Sequence, residues 1–165
     1  VAPLDRPSGT EGMMTMNRIL FGSARYFPPL AQLFMWTMAR LLMRDPERVM
    51  ARMSQSLPEP DRIASEKPEV RASLAATAQE AMRQGTRHAV QEARLYASPW
   101  GFELSDIAMP VSLFQGEQDV NVAPAMGRYQ AAAIPDCDAH FYPNEGHLSL
   151  AVNRIDDILA SLTSR

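Results

Sequence analysis

Hydrophobic and polar positions divide the chain into a long region of helical periodicity and a shorter region of strand-like runs. Apolar residues recur at helical spacing from Met13 onward, and prolines, together with Gly85, interrupt the pattern. Asp45-Pro46 and Thr86 are typical of helix starts. The pattern predicts helices over Met13–Tyr26, Leu30–Met43, Arg48–Ser56, Glu69–Arg83 and Arg87–Tyr96, with a single helical turn at Asp61–Ser65.

The second region predicts a strand–helix–strand unit. Val111–Phe114 is a short apolar run between a proline and a glycine, as in a buried strand, and His140–Tyr142 is a second short strand. Ala123–Ala133 is long enough to be the crossover helix, so the two strands are expected to be parallel and adjacent. Leu148–Leu162 then predicts a last amphipathic helix that packs on the sheet.

Two candidate catalytic residues follow these strands. Asp119 comes just after the first strand, and His147 follows the second strand and a Pro-Asn-Glu-Gly turn. In open parallel sheets, chemistry takes place beyond the carboxyl ends of the strands. Histidine exchanges a proton near neutral pH, and a carboxylate on one ring nitrogen fixes its tautomer and stabilises the imidazolium. The two residues are therefore candidates for a general base and its orienting acid.

These residues also lie in a recognisable pattern. Pro-Val-x-Leu-x-x-Gly-x-x-Asp at 110–119, with Gly146-His147 about thirty residues later, resembles the C-terminal part of an α/β-hydrolase. The resemblance implies an α/β fold class: the C-terminal fragment of an α/β-hydrolase, predominantly a helical cap, with a small parallel β-α-β remnant and a C-terminal helix. It implies that Asp119 is the orienting acid and His147 the general base.

The resemblance also implies three segments. Residues 1–12 would be the tail of a core strand, Val1–Leu4, and a linker; residues 13–97 a helical cap, or lid; and residues 98–165 the C-terminal part of the core. Leu30–Met43 is apolar nearly all round, and three interpretations compete for it. It is too short to span a membrane and contains Gln32 and Arg40. The other two interpretations are a helix that lies on a membrane surface and a lid helix, and we favour the lid helix.

A nucleophile motif is absent from the sequence. The strand-to-helix elbow Gly-x-Ser-x-Gly does not occur, since Gly22-Ser23 lacks the second glycine and Ser8-Gly9 lacks the first. In the family this motif and the oxyanion loop lie upstream of the matched region. The chain begins with Val1, and we interpret it as the C-terminal portion of a longer hydrolase. On this interpretation the chain alone is inactive.

Composition narrows the function classes. The sequence is 46% hydrophobic and 21% charged, with net charge −3, which is ordinary for a soluble globular protein. It has no basic block for nucleic acid. The single cysteine, Cys137, is compatible with a reducing compartment, and we expect a cytoplasmic location. No cofactor and no metal is implied.

The predicted parent is a Ser-Asp-His hydrolase of small, largely apolar esters, thioesters or amides. Met13, Met35, Met38 and Trp100 are the candidate substrate-binding residues, because methionine gives an adaptable apolar wall. Two alternatives stay open: an aspartate nucleophile, as in dehalogenases or epoxide hydrolases, and a non-catalytic binding or assembly module. Expected partners are a small-molecule substrate and either a second copy of the chain or the missing N-terminal half, with no integral membrane segment.

Overall fold

The computed structural model describes residue 4, residues 9–83 and residues 85–163, and these ranges are mostly helical. The two strands are β1 (Val111–Gly116) and β2 (Cys137–Tyr142). The helices are α1 (Thr15–Tyr26), α2 (Pro28–Arg44), α3 (Pro46–Ser54), α4 (Glu59–Glu66), α5 (Pro68–Arg83), α6 (Arg87–Tyr96), α7 (Pro124–Ala133), α8 (His147–Asn153) and α9 (Ile155–Thr163). A short 3₁₀ turn at Leu104–Asp106 precedes β1.

Prolines set several of the helix boundaries, as the sequence predicts. Phe27 separates α1 from α2, and α2 begins with two prolines whose fixed φ suits the first turn. Asp45 then caps α3, because its Oδ1 accepts a hydrogen bond from the backbone N–H of Arg48 at 3.1 Å. The predicted single turn at Asp61–Ser65 is instead an eight-residue helix, α4.

The helical region has a small core where α1, α2 and α6 meet. Ala24, Ala31, Val90 and Ala93 are buried there, and Met35 packs against them with Leu20 and Phe21. Small side chains at the contact allow the three helix backbones to approach closely, so a modest apolar set is enough to exclude water.

The other face of α2 is apolar but exposed. Leu33 and Trp36 are 59% and 47% exposed, and Arg40 lies over the Trp36 ring at 4.3 Å. Leu30, Leu41 and Met43 are exposed along the same helix. Within the described ranges, no helix has both the length and the hydropathy that crossing a bilayer requires.

The two strands form a parallel pair, as predicted. Register runs from Val111 opposite Cys137 to Gly116 opposite Tyr142, so both strands end at the same edge. The helix α7 connects them and packs against β1 and β2. Because β1 and β2 are parallel, the loops that follow them lie side by side, and these loops lead to Asp119 and His147.

The end of the chain differs from the prediction of one helix over Leu148–Leu162. The structure has two helices, α8 and α9, with a break at Arg154. The Arg154 side chain reaches back to Glu145 at 3.2 Å and forward to Asp157 at 3.7 Å. These contacts stabilise a turn where the apolar periodicity alone indicates continuity. The predicted strand tail at Val1–Leu4 falls outside the described residues except for its last residue, which lies in a turn.

Candidate active site

Asp119 is held in place by hydrogen bonds within its own loop. Its side chain is buried, and Oδ1 accepts hydrogen bonds from the backbone N–H groups of Asn121 at 2.7 Å and Val122 at 2.8 Å. This is a local turn of the kind that aspartate favours just after a strand. Since Oδ1 is occupied in this way, the second oxygen, Oδ2, remains for another partner.

That partner is His147. Its Nδ1 lies 2.8 Å from Asp119 Oδ2. A carboxylate only accepts hydrogen bonds, so Nδ1 carries the proton and donates it. In the neutral ring the lone pair is then on Nε2, which is the arrangement required of a general base. The imidazole is half-exposed, so it remains accessible to a reacting group.

The electrostatic surroundings favour the protonated ring. The hydrogen bond that Asp119 accepts from the ring raises the pKa of His147, and the negative charges of Asp119 and Asp61 raise it further. Burial of half the ring lowers the pKa and only partly offsets these effects. The site therefore stabilises the imidazolium that forms when His147 accepts a proton.

Two glycines bring the Asp119 and His147 loops together. A Cβ on Gly116, at the end of β1, would lie 2.5 Å from the carbonyl oxygen of Glu145. In the same place the backbone N–H of Gln118 donates to that carbonyl at 2.9 Å. Gly146, next to the histidine, has no room for a Cβ because the Asp61 carboxylate lies against it. Both glycines of the sequence motif are therefore required by close contacts, with backbone atoms at Gly116 and with the Asp61 carboxylate at Gly146.

Asp61, from the helical region, is part of this site and was not recognised as such in the sequence. It is completely buried, and its carboxylate accepts the backbone N–H groups of His147 at 2.9 Å, Leu148 at 3.0 Å and Ser149 at 2.9 Å. These are the first three N–H groups of α8. Asp61 lies in the first turn of α4, yet its side chain caps α8, a helix that begins 86 residues later.

A mostly apolar cavity of about 240 Å³ borders His147. Its apolar lining comes from α1, α3, α5, α8 and the α3–α4 loop: Met14, Met16, Met50, Ala51, Met53, Leu57, Leu74 and Leu148. Its polar lining consists of Asn17, Ser54, Ser56, Asp61, Ser65, Arg71, Asn121 and His147. Asn17 donates to Asn121 at 2.9 Å, which connects α1 to the Asp119 loop. The cavity suits a small apolar group placed beside the imidazole.

The candidate substrate-binding residues lie elsewhere. Met13 is buried in the core, Met35 packs on the α1–α2–α6 core, and Met38 is half-buried on α2. The Trp100 ring lies 5.7 Å from the Phe102 ring, centroid to centroid, in a separate surface groove. None of the four lines the His147 cavity within the described part of the chain. Their contact with substrate stays a prediction, and the methionines that do line the cavity belong to α1, to the position just before it, and to α3.

Where the structure describes the chain, the remaining polar groups do not form a metal site. Among residues 9–83 and 85–163, no three His, Cys, Asp or Glu side chains cluster in a way that would hold a metal ion. The cavity-lining Ser56 and Ser65 donate their hydroxyl groups to the backbone carbonyls of Met53 and Arg62. Neither lies on a strand-to-helix elbow, since Ser56 follows α3 and Ser65 is inside α4.

Some site residues gave no usable signal in the sequence. Asp61 reads as an ordinary first-turn acid of a short helix, and its distant contact depends on how α4 packs on α8. Met50 and Met53 belong to a short amphipathic helix whose apolar face has no feature that distinguishes a cavity wall from core. Asn121 has a weak local signal, because an aspartate side chain often accepts a hydrogen bond from the backbone two residues on.

The comparisons with known proteins concern the fold. No protein-family model and no curated protein matches the sequence. Among solved structures, the chain is similar to an esterase, RhEst1 from Rhodococcus sp. ECU1013, with 16% sequence identity and a TM-score of 0.53. The alignment covers 94% of this chain and 48% of the esterase, so the chain spans about half the length of that protein. This likeness is consistent with an α/β-hydrolase-like fold.

Proposed function

We propose that this chain carries the acid–histidine half of a Ser-Asp-His hydrolase, with Asp119 as orienting acid and His147 as general base. The observation that carries the proposal is the 2.8 Å hydrogen bond between them. It joins two loops that follow adjacent parallel strands, where open α/β sheets hold their chemistry. A serine would complete the triad, and we propose that a polypeptide segment outside this sequence supplies it.

The site has the features that proton transfer requires. A Ser-His-Asp triad needs a histidine with one nitrogen held by a buried carboxylate and the other accessible. Asp119 is buried and anchored by two backbone N–H groups, so its orientation does not depend on the contact with His147. The half-exposed imidazole would then take the proton of the serine and return it to the leaving group.

The proposed substrate is a small, largely apolar ester, thioester or amide. Methionine and leucine side chains form most of the cavity next to His147, and methionine adapts to irregular apolar groups. A volume of about 240 Å³ suits a short acyl or alcohol group and is small for an extended chain. Similarity to a structure described as an esterase supports the same class of reaction.

The test uses a longer polypeptide that contains this chain. Asp119→Asn is expected to lower kcat for a short-chain p-nitrophenyl ester by roughly a thousandfold or more, because the orienting acid is lost. Asp138→Asn is the matched control, since Asp138 forms a half-exposed pair with His140 at 3.2 Å on β2. A loss under tenfold for Asp119→Asn, or an equal loss for both variants, would remove Asp119 from the mechanism.

The identity of the nucleophile has its own measurement. A fluorophosphonate probe is expected to label a serine of the longer polypeptide and to leave the isolated chain of residues 1–165 unlabelled, because the isolated chain lacks an activated serine. Labelling of the isolated chain that disappears in His147→Ala would show that one of its own serines is the nucleophile. Turnover by the longer polypeptide without labelling would favour the aspartate-nucleophile alternative.

A further inference from the structure

The N-terminus of α8 depends on a residue that is distant in sequence. Gly146 is the residue before the helix and has no side chain that caps it. Four N–H groups at the start of every helix lack a partner within the helix, and leaving them buried and unsatisfied is unfavourable. Ser149 accepts the N–H of Gly146 at 2.7 Å. The N–H groups of His147, Leu148 and Ser149 are bound by Asp61.

From these contacts we infer that Asp61 is a positioning residue for His147, holding its backbone from helix α4 so that the imidazole stays against Asp119. This inference rests on the proposed function for its catalytic consequence. The contact is direct: Oδ2 of Asp61 accepts the backbone N–H of His147 itself, at 2.9 Å. His147 is thus fixed at two points, its backbone by Asp61 and its ring by Asp119.

The packing around Asp61 makes this hold rigid. The carboxylate is completely buried and makes three hydrogen bonds, so rotation of its side chain would break all three at once. Gly146 lies so close that any Cβ there would overlap the carboxylate. A negative charge at the start of a helix is also favourable, because the helix dipole places partial positive charge there.

The region predicted as a cap would therefore do more than cover the site. Asp61 belongs to α4, which packs closely on α8. In the cavity it faces His147 of α8, and Arg71 of α5 lines the same cavity. A displacement of α4 would remove the acceptor from three N–H groups at once and free the histidine backbone. Misplacement of a catalytic group by about 1 Å costs roughly a hundredfold in rate.

The test is a swap of the capping group. Asp61→Ala should release the His147 backbone, and Gly146→Asp alone should disturb it, because the new side chain overlaps Asp61. In the double variant, Asp61→Ala vacates the space that Gly146→Asp fills, and an aspartate directly before the helix caps it locally. Asp45→Ala is the matched control, since this aspartate caps a different helix, α3, through the backbone N–H of Arg48.

The primary measurement is NMR of the His147 ring in the chain of residues 1–165, which needs no catalytic activity. Asp61→Ala should lower the pKa of His147, because its negative charge is removed and the Asp119 hydrogen bond loosens. The double variant should return that pKa toward the wild-type value, and Asp45→Ala should leave it unchanged. An unchanged His147 pKa in Asp61→Ala, or equal effects of Asp61→Ala and Asp45→Ala, would overturn the inference.

The swap also guards against a variant that does not fold. If Asp61→Ala unfolds the chain, Asp61→Asn keeps the side-chain shape and one acceptor while removing the charge, and the same NMR measurement applies to it.

In the longer polypeptide, kcat should fall roughly a hundredfold in Asp61→Ala and recover in the double variant, with KM changed little. Unchanged kcat in Asp61→Ala, together with a large loss in Asp119→Asn, would contradict the inference and leave the proposed function standing. Absence of any hydrolysis, together with the NMR effects, would contradict the proposed function alone.

Discussion

At the scale of single residues, the site depends on two carboxylates that are held in place by hydrogen bonds. Asp119 and Asp61 are both buried, and each uses backbone N–H groups to hold its orientation. Buried charges are tolerated when they are hydrogen-bonded in this way. As a result, His147 donates hydrogen bonds to two different acids, to Asp119 through its ring and to Asp61 through its backbone N–H. Half of the ring stays exposed, so the same contacts that orient it leave it accessible.

A pH dependence of stability follows from His147. Because its folded-state pKa is raised, the stabilisation from its protonated form is fully present below the unfolded pKa of about 6.5 and is lost as pH rises through the folded pKa. His147→Gln keeps an N–H donor but has no titrating proton. We expect the difference in free energy of unfolding between wild type and His147→Gln to be larger at pH 5.5 than at pH 9.

Chemical denaturation at the two pH values measures this difference, and His88→Gln is its control. His88 is exposed on α6, in the helical region. The change between the two pH values should be larger for His147→Gln than for His88→Gln. A difference for His147→Gln that stays constant or grows with rising pH would contradict the raised pKa.

At the scale of elements, close approach between loops determines how β1 and α8 come together. The end of β1 touches the loop before α8 at Gly116, where the backbone carbonyl groups of Glu145 and Gly146 leave no space for a side chain. These neighbours are backbone atoms of a loop held by the side-chain bonds of Glu145. They cannot rotate away, as the tip of a flexible side chain would.

Gly116→Ala should therefore destabilise the chain by about 1–3 kcal/mol, the usual cost of overpacking. Gly22→Ala is the matched control, because Gly22 lies in the middle of α1 with no heavy atom within 4 Å of a built Cβ. There, alanine should stabilise the helix by about 0.5–1 kcal/mol. Urea denaturation of both variants measures the contrast, and a Gly116→Ala variant as stable as wild type would refute the close-approach argument.

At the scale of the whole molecule, the described residues expose two kinds of surface that folded proteins usually cover. These are the edges of a two-stranded sheet and an apolar helix face. Within the described ranges β1 and β2 pair only with each other, and parallel strands are normally buried inside larger sheets. The outward face of α2 adds exposed Leu33 and Trp36. Strand edges and apolar faces of this kind recruit other chains.

The isolated chain should accordingly associate with itself at micromolar concentration, and sedimentation equilibrium should give a mass above 18.3 kDa. Leu33→Glu should shift the equilibrium toward the monomer, because it places a charge in the exposed apolar face of α2. Ser73→Glu, at an exposed position of α5, adds the same charge elsewhere and should have little effect. A monomer at all concentrations would contradict the prediction.

The sequence by itself determined those features that depend on residues close together along the chain. Prolines and caps determined most helix limits, apolar runs predicted β1 and β2, and the crossover length predicted their parallel pairing. The proximity of Asp119 and His147 was predictable because the geometry of a parallel sheet places the ends of neighbouring strands together. Each of these inferences depends on residues that are close along the chain or on a general rule of topology.

Only the tertiary structure decided which distant groups meet. Asp61 contacts His147 across 86 residues, and the cavity wall comes from Met14, Met50 and Met53 rather than from Met35 or Met38. The break at Arg154 has the same origin, since Glu145 holds its side chain. Local patterns do not encode such contacts, because they depend on how whole helices pack. That packing is set by the summed burial of many apolar side chains.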